Sequence, residues 1–399
     1  MKDDFVFTAR KVAVHVHVVF HFLWTRSTIH PDARTSSRAM RASAAARVPR
    51  TCHACASRGR AASTKDAKRA MAGQRRARED AVAVVDVLKG STTADDSGDD
   101  ELDAVVVNPA TVARLARYAE WGDGGVKGFF EPGLCALYAS LDAFHVRNGV
   151  KGSLAEIGVY HGKSFAPLAL MRRDDERCVA VDCFDAQEHN VDDSGAGDRA
   201  AFERNVARAM RACREDDDDD EDEDGSDGSD GTDPAWLRVV EADSATTPPE
   251  TLTRAADGQT LRIFSIDGCH TESNTAADVE TASRTLHDLG VVVVDDAFNP
   301  DWPGVVAGLF RWTERNRNRN RNGGGASTAP PLVPFAIGYN KVLMCRPDAH
   351  DALLTHVKTS RETRASVRKT AEFLGGEVVV LPHGWISTFH GNERLSSSN

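Results

Sequence analysis

The chain has 399 residues, of which 41% are hydrophobic and 27% are charged. This composition supports an ordinary soluble core and excludes a wholly disordered, collagen-like or membrane-embedded protein. The net charge of −11 is local, because residues 215–233 hold 13 carboxylates and no base. The net charge therefore gives no information about a binding partner of the folded surface.

The first 75 residues predict a leader that is removed from the mature protein. Residues 1–64 are rich in arginine and poor in acids, and the stretch from Met40 has the Arg, Ser and Ala content of an organellar transit peptide. We expect a chloroplast or mitochondrial location, and a cytoplasmic one without the leader. Translation from Met40 would leave residues 1–39 unused. The apolar run 12–24 is too short to span a bilayer, so we expect no membrane partner.

The remaining chain divides by composition. Residues 76–150 predict a helical extension or lid, and residues 151–390 predict the main domain. Two low-complexity inserts, 215–233 and 315–325, are expected to form loops in this domain, and residues 391–399 a disordered tail, because none of them can bury much apolar surface.

Strand-like and helix-like segments alternate through the main domain. A helical pattern ends at Asn148-Gly149. Short apolar runs then predict strands, with a helix over 164–171 after the first; these runs are 154–159, 178–181, 261–266 and 291–294. Apolar runs separated by helices are typical of parallel strands covered on both faces. The sequence predicts an α/β fold with a doubly wound, mostly parallel sheet.

The last third of the domain predicts an antiparallel hairpin. Residues 333–337 and 341–345 flank Gly338-Tyr339-Asn340, and we expect this pair at one edge of the sheet. Within it, Lys341 is expected to be solvated. A helix over 348–358 and a strand over 377–381 complete the domain.

Glycines and an acidic residue follow the first two strands, where open α/β sheets bind ligands. Glu156, Gly158 and Gly162 form the pattern E-x-G-x-x-x-G, which lets a turn approach a ligand closely. Asp182 ends the second strand, where a carboxylate can accept both hydroxyls of a ribose. The glycines could also merely turn the chain and Asp182 could cap a helix. The nicotinamide pattern G-x-G-x-x-G is absent.

These residues resemble class I S-adenosylmethionine-dependent methyltransferases, in particular the small-molecule O-methyltransferases that include macrocin-type and catechol-type enzymes. The resemblance runs from about Gly128 to Cys345 and implies a Rossmann-like fold. It implies that Glu156, Gly158 and Gly162 belong to the turn that binds the methionine part of the cofactor. Asp182 would bind its ribose, and Phe184 or Asp185 would lie near its adenine.

The resemblance also gives a role to residues after the third and fourth strands. If these strands are neighbours, Asp267, Asp295 and Asp296 could converge on Mg²⁺. His270 matches the position of the catalytic base. Alternatively, one of the paired aspartates caps a helix and His270 bonds locally. The chain departs from the pattern in having Asp296 where catechol-type enzymes carry Asn, and it lacks the aromatic residue that commonly follows the histidine.

Loops at the same edge of the sheet are candidate contacts for the acceptor. The candidates are Gln187, Asn190, Asp192, Ser194 and Gly195 after the second strand, Asn299, Asp301 and Trp302 after the fourth, and the lid segment Val126–Phe130.

The leading hypothesis is O-methylation of a small hydroxylated metabolite, with S-adenosylmethionine as cofactor and help from Mg²⁺. The alternatives are a metal-independent N- or O-methyltransferase and a non-catalytic scaffold with the same fold. No basic stripe flanks the motifs, so we expect a small-molecule acceptor and no nucleic acid. The sequence leaves the oligomeric state open, with a homo-oligomer among the outcomes.

Overall fold

The computed structural model describes residues 82–89, 108–121, 125–192, 194–213, 234–321 and 329–382. The leader, the acidic insert and the C-terminal tail predicted from the sequence lie outside the described residues, so the transit peptide stays a prediction. Among the described helices, none has the length and apolar content needed to cross a membrane.

Helices and strands alternate along the described chain. The helices are α1 (82–89), α2 (Pro109–Trp121), α3 (Gly133–Arg147), α4 (Phe165–Leu170), α5 (Arg199–Ala212), α6 (Pro249–Ala255), α7 (Glu272–Thr285), α8 (Pro303–Arg321) and α9 (His350–Thr359). The strands are β1 (Ser153–Ile157), β2 (Cys178–Asp182), β3 (Leu237–Glu241), β4 (Leu261–Ile266), β5 (Leu286–Val294), β6 (Val333–Gly338), β7 (Lys341–Cys345), β8 (Lys369–Phe373) and β9 (Gly376–Val380).

All these strands form one sheet in the order β3-β2-β1-β4-β5-β7-β6-β9-β8. The first five strands are parallel to their neighbours, and β7 joins β5 in the antiparallel sense. The predicted α/β class with a doubly wound, mostly parallel sheet is confirmed. Because β1, β2, β4 and β5 run in the same direction, their carboxyl ends meet at one edge, which we call the carboxyl edge.

Helices cover both faces of the sheet. Leu154 and Ile263 point to the face that packs against α1–α5 and α9, whereas their neighbours Ala155 and Phe264 point to the face covered by α6–α8. The apolar run Val291–Val294 is fully buried because its side chains alternate between these two cores.

Three features differ from the expectations. Strands β3 and β8 were not predicted; both are short, and their burial is partial because they lie at the two ends of the sheet. The β6–β7 hairpin lies inside the sheet, because β9 pairs with β6 and β8 pairs with β9. Helix α8 continues through Arg321, so the first part of the Arg-Asn run is helical. Asn316 anchors this part, since its buried side chain donates to the carbonyl oxygen of Ala329 at 2.8 Å.

Candidate active site

A cavity of about 730 Å³ opens at the carboxyl edge of the sheet. Its wall contains six of the predicted site residues, namely Gly158, Asp182, Asp267, His270, Asp295 and Asp296. The other four, Glu156, Gly162, Phe184 and Asp185, do not line it. The fold thus brings the ends of β1, β2, β4 and β5 together around one space.

Gly158 is required where the turn after β1 meets the end of β4. It has φ +79°, and an added Cβ would lie 1.9 Å from the carbonyl oxygen of Asp267. Hydrogen bonds from Gly158 N to Val181 O and from Asp267 N to Ile157 O, both 2.8 Å, hold this approach. Gly162 has φ +89° and packs the same turn against Phe202 and Val206 of α5. Only glycine at position 158 permits the close approach to the carbonyl oxygen of Asp267.

Asp182 ties the glycine turn to the loop after β2. Its Oδ2 accepts from the backbone N of Tyr160 and its Oδ1 from that of Phe184, both at 2.8 Å. Burial raises the pKa of Asp182, and the backbone N–H groups that bond the carboxylate oppose this shift. The carboxylate is therefore fixed in orientation at the wall of the cavity.

The residues predicted near an adenine lie elsewhere. Phe184 has φ +40°, and its buried ring packs against Phe202 with the ring centres 6.0 Å apart. Asp185 is exposed. Phe184 thus has a positive φ, and its ring is part of the hydrophobic core. The cavity wall after β2 and β3 is instead formed by Cys183 and Asp243, among others.

Glu156 lies inside the protein, beneath the site. Its side chain is buried, and Ser265 Oγ donates to Oε1 at 3.2 Å. Burial raises its pKa to about 8, and the charge of Asp267 adds to the shift. At neutral pH Glu156 is therefore mainly protonated and acts as a polar link between β1 and β4.

Asp295 is paired with a lysine from the hairpin. Lys341 Nζ bonds Oδ2 of Asp295, and the backbone N of Asp296 donates to Oδ1 at 2.8 Å. Burial raises the pKa of Asp295 to about 7, with Lys341 opposing this shift and Asp267 adding to it. The expectation that Lys341 is solvated was wrong: it is 5% exposed, because β7 lies beside β5.

Asp267, His270 and Asp296 form a separate cluster, in which each residue offers one ligand atom and these atoms lie within 4.8 Å of one another. His270 Nε2 is 3.0 Å from Asp296 Oδ2 and 3.9 Å from Asp267 Oδ1. This nitrogen is buried and has no aligned hydrogen-bond partner among the residues that the structure describes. Burial disfavours the charged imidazole, but the two carboxylates outweigh it and raise the pKa of His270 to about 10.

Asp296 is held in a strained conformation that aims it at this cluster. It has φ +56°, and its Oδ1 accepts from the side-chain amides of Asn299, at 2.9 Å, and Asn340. Burial alone would raise the pKa of Asp296, but the ion-pair contact with His270 and the hydrogen bond from Asn299 lower it. Oδ2 is left to face His270. Non-glycine residues with positive φ are uncommon and often occur at functional sites.

The opposite side of the His270 ring is also fixed. Nδ1 lies 2.9 Å from Oδ2 of Asp192, and the ring stacks on Trp302 with the ring centres 4.4 Å apart and an angle of 16°. Most predicted acceptor contacts line the cavity, but Gln187, Asp192 and Val126 do not. The ones that do are Asn190, Ser194, Gly195, Asn299, Asp301, Trp302 and residues 127–130 of the predicted lid.

Sequence reasoning missed the contribution of the hairpin turn. Tyr339 and Asn340 have φ +52° and +66°, and together with Lys341 they line the cavity. Tyr339 also packs against Gly133 at the start of α3. The turn signal was visible in Gly338-Tyr339-Asn340, but its place beside β5 depends on strand order, which the local pattern does not contain.

Comparisons with known proteins give one domain match. A family model described as a methyltransferase domain matches residues 155–297, which run from β1 to the residue after Asp296. No curated protein matches the chain.

Several solved structures are distantly similar. CalS11, described as a TDP-rhamnose 3′-O-methyltransferase of calicheamicin biosynthesis, is 17% identical over 72% of this chain and 96% of its own, with a TM-score of 0.36. An O-methyltransferase from Bacillus cereus in complex with SAH is 15% identical over 61% and 93%, with a TM-score of 0.33. MycE of the mycinamycin pathway, in complex with Mg and SAH, is 13% identical over 59% and 54%, also with a TM-score of 0.33.

The domain match defines the class of this part of the protein. The chain carries a methyltransferase domain over residues 155–297. The glycine turn after β1, the acid that ends β2 and the cluster of Asp267, His270 and Asp296 all lie within the matched residues.

Proposed function

We propose that this enzyme transfers the methyl group of S-adenosylmethionine to a hydroxyl oxygen of a small metabolite, with help from a divalent cation. The observation that carries this proposal is the cluster of Asp267, His270 and Asp296 in the cavity wall, with ligand atoms within 4.8 Å of one another and a buried His270 Nε2 that has no aligned hydrogen-bond partner.

The glycine turn and Asp182 fit the cofactor. Gly158 lets the turn lie directly against Asp267 O, and in this position the turn lines the cavity that would hold the cofactor. Asp182 is fixed at the cavity wall by two backbone N–H groups and can accept from ribose hydroxyls. Glu156, Gly162 and Phe184 shape this region from within the protein.

The donor set of the cluster fits a hard divalent cation such as Mg²⁺. Two carboxylates, Asp267 and Asp296, would hold it. A cation bound there would act as a Lewis acid that makes the acceptor hydroxyl more acidic. Asp295, predicted as a third ligand, supports the site from behind, because Lys341 and the backbone of Asp296 occupy its oxygens.

His270 is the base in this proposal, because a divalent cation held by Asp267 and Asp296 would offset the two carboxylate charges that raise its pKa and so leave the imidazole neutral. His270 lines the cavity, and its Nε2, on the side of Asp267 and Asp296, takes the hydroxyl proton as the acceptor oxygen attacks the methyl carbon in line. The new O–CH₃ bond forms while the S–CH₃ bond breaks, and S-adenosylhomocysteine leaves with the bonding electron pair on sulfur. The proton stays on Nε2 and returns to solvent when the products depart.

Cofactor binding is tested first, by calorimetric titration of the full chain with S-adenosylhomocysteine in the presence of Mg²⁺. We expect saturable binding that Asp182→Asn weakens strongly and Glu188→Gln leaves unchanged, since Glu188 is an exposed carboxylate outside the cavity wall. A folded sample that binds no S-adenosylhomocysteine would refute the proposal.

Transfer is tested next, with radiolabelled S-adenosylmethionine and a panel of phenols and sugars. We expect labelled product that disappears with EDTA, returns with Mg²⁺, and is abolished in Asp267→Asn and His270→Gln. Activity that survives both EDTA and Asp267→Ala would remove the cation and leave a metal-independent N- or O-methyltransferase.

A further inference from the structure

Asp192 contacts His270 in two ways. Its Oδ2 accepts from the backbone N of His270 at 2.6 Å and lies 2.9 Å from Nδ1 of the same residue. The backbone N of Ser194 donates to the other oxygen, Oδ1, at 3.1 Å. The side chain of Asp192 is only 10% exposed, and the residue does not line the cavity. Its carboxylate is therefore directed at His270 and away from ligands.

We propose that Asp192 is a positioning residue that holds the proton of His270 on Nδ1 and directs Nε2 toward the acceptor hydroxyl. This inference rests on the role of His270 as base in the proposed function. A carboxylate can only accept, so its contact with the ring requires N–H at Nδ1. The ring nitrogen that exchanges a proton is then Nε2, on the side of Asp267 and Asp296.

The ring has little freedom to escape this arrangement. Trp302 stacks on it within 16° of parallel, so the plane of the imidazole is fixed. Rotation of the ring by half a turn would put Cδ2 and Cε1 where Nδ1 and Nε2 now lie, and the carboxylate of Asp192 would lose its N–H···O bond to Nδ1. Trp302 thus fixes the plane of the ring, and Asp192 fixes which nitrogen faces the reaction.

Asp192 also joins the base to the loop that faces the acceptor. Its neighbours Asn190 and Ser194 line the cavity, and Asn190 Nδ2 donates to Gly195 O at 2.8 Å, which closes the loop on itself. The carboxylate of Asp192 therefore connects the loop after β2 to His270. An acceptor that displaces this loop would also misplace Nε2, so the enzyme can discriminate between acceptors through the orientation of its base.

The test reads the Nδ1 proton directly by ¹H–¹⁵N NMR of the full-length protein with ¹⁵N-labelled histidine. The chain has 14 histidines, and comparison with His270→Gln identifies the resonance of His270. We expect a downfield Nδ1–H signal that is lost in Asp192→Ala and shifts upfield in Asp192→Asn, whose amide oxygen is a weaker acceptor than a carboxylate. Glu188→Gln, a charge change in the same loop, is the control that leaves the signal in place.

Two further readouts separate positioning from a general structural effect. Affinity for S-adenosylhomocysteine should stay within about twofold of wild type in Asp192→Asn, since the glycine turn and Asp182 are untouched. For an acceptor from the panel that turns over, kcat should fall by about 10–100-fold with the cofactor KM unchanged, and Asp192→Glu should recover part of it.

An unchanged Nδ1–H signal in Asp192→Ala would overturn the inference, and so would equal losses of cofactor affinity and kcat in Asp192→Asn. If Asp192→Ala does not fold, the shift in Asp192→Asn decides. The NMR experiment needs no acceptor, so failure of every acceptor in the panel counts against the proposed function and is distinguishable from failure of this inference.

Discussion

The two edges of the sheet carry charged clusters of similar size that are built in different ways. At the amino edge, where the parallel strands begin, the fully buried Arg262 donates from Nε and Nη2 to the two oxygens of Glu176, both at 2.9 Å. Arg262 also reaches Asp142 at 3.1 Å, and Arg173 bonds the same carboxylate at 2.8 Å. Two guanidinium groups thus face two carboxylates.

At the carboxyl edge the charges are not balanced. Three carboxylates, those of Asp267, Asp295 and Asp296, face Lys341 and His270. One sheet thus separates two tasks. Balanced charge at the amino edge holds helices and strands together, whereas the excess of carboxylates at the strand ends is available to a cation.

The largest loss of stability is expected from a substitution that breaks the amino-edge cluster. Glu176→Ala leaves Arg262 buried without its bidentate partner, so the free energy of unfolding should fall by about 3–5 kcal/mol. Urea denaturation measures this loss. Arg177→Gln is the control, because its pair with the exposed Asp257 is worth at most about 1 kcal/mol. Equal effects of the two variants would show that the buried cluster does not stabilise the fold.

The next largest effect, on cofactor binding, is expected from a substitution that breaks the contact between the glycine turn and the end of β4. Gly158→Ala should abolish binding of S-adenosylhomocysteine, because its Cβ would force the turn away from Asp267 O. Gly258→Ala is a matched control: Gly258 has φ +81° but nothing lies within 4 Å of an added Cβ. Gly258→Ala should lower the free energy of unfolding by only about 1–2 kcal/mol, because its backbone is strained, and it should keep full affinity for S-adenosylhomocysteine. Calorimetry that finds the variants alike would refute the close approach.

A smaller effect follows from Glu156, whose pKa is raised to about 8 in the folded protein from an ordinary value of 4.5. Between these values the unfolded chain releases a proton that the folded chain keeps, so stability should fall as pH rises, by up to about 1.4 kcal/mol per unit. Glu156→Gln removes this dependence. Urea denaturation of both proteins from pH 5 to pH 8 should therefore show a widening gap in favour of the variant, and parallel curves would contradict it.

The smallest effect on stability is expected at Asp267. Asp267→Asn removes attraction to His270 and Lys341 and also repulsion from Asp295 and Glu156. These contributions oppose each other, so the free energy of unfolding should change by less than about 1 kcal/mol. Binding of Mn²⁺, followed by electron paramagnetic resonance, should be lost. A large loss of stability would mean that the carboxyl edge is held together as the amino edge is.

The fold and the placement of part of the cavity wall were accessible from the sequence. Apolar runs predicted four of the five parallel strands, and residues at the ends of these strands reach the cavity, as with Gly158, Asp182 and Asp267. This succeeds because strand ends and ligand sites coincide in open α/β sheets, so local pattern and long-range geometry carry the same information.

The rest depended on contacts between distant segments. Lys341 was expected to be solvated because no local pattern shows that β7 inserts beside β5. Asp192 was expected to touch the acceptor, although it contacts His270, 78 positions away. The ring of Phe184 lies in the core and its φ is positive, a conformation that its residue type does not favour.

The hairpin turn sets an order of events during synthesis. Asn340 and Lys341 supply the amide and the ammonium that bond Asp296 and Asp295, yet they follow these carboxylates by 44 and 46 positions. While the ribosome is still translating the Arg-Asn run, Asp295 lacks the ammonium group that pairs with it and β5 lacks its neighbour β7. A pause or truncation before residue 341 would therefore leave the edge of β5 unpaired, and a nascent sheet with such an open edge is prone to aggregation.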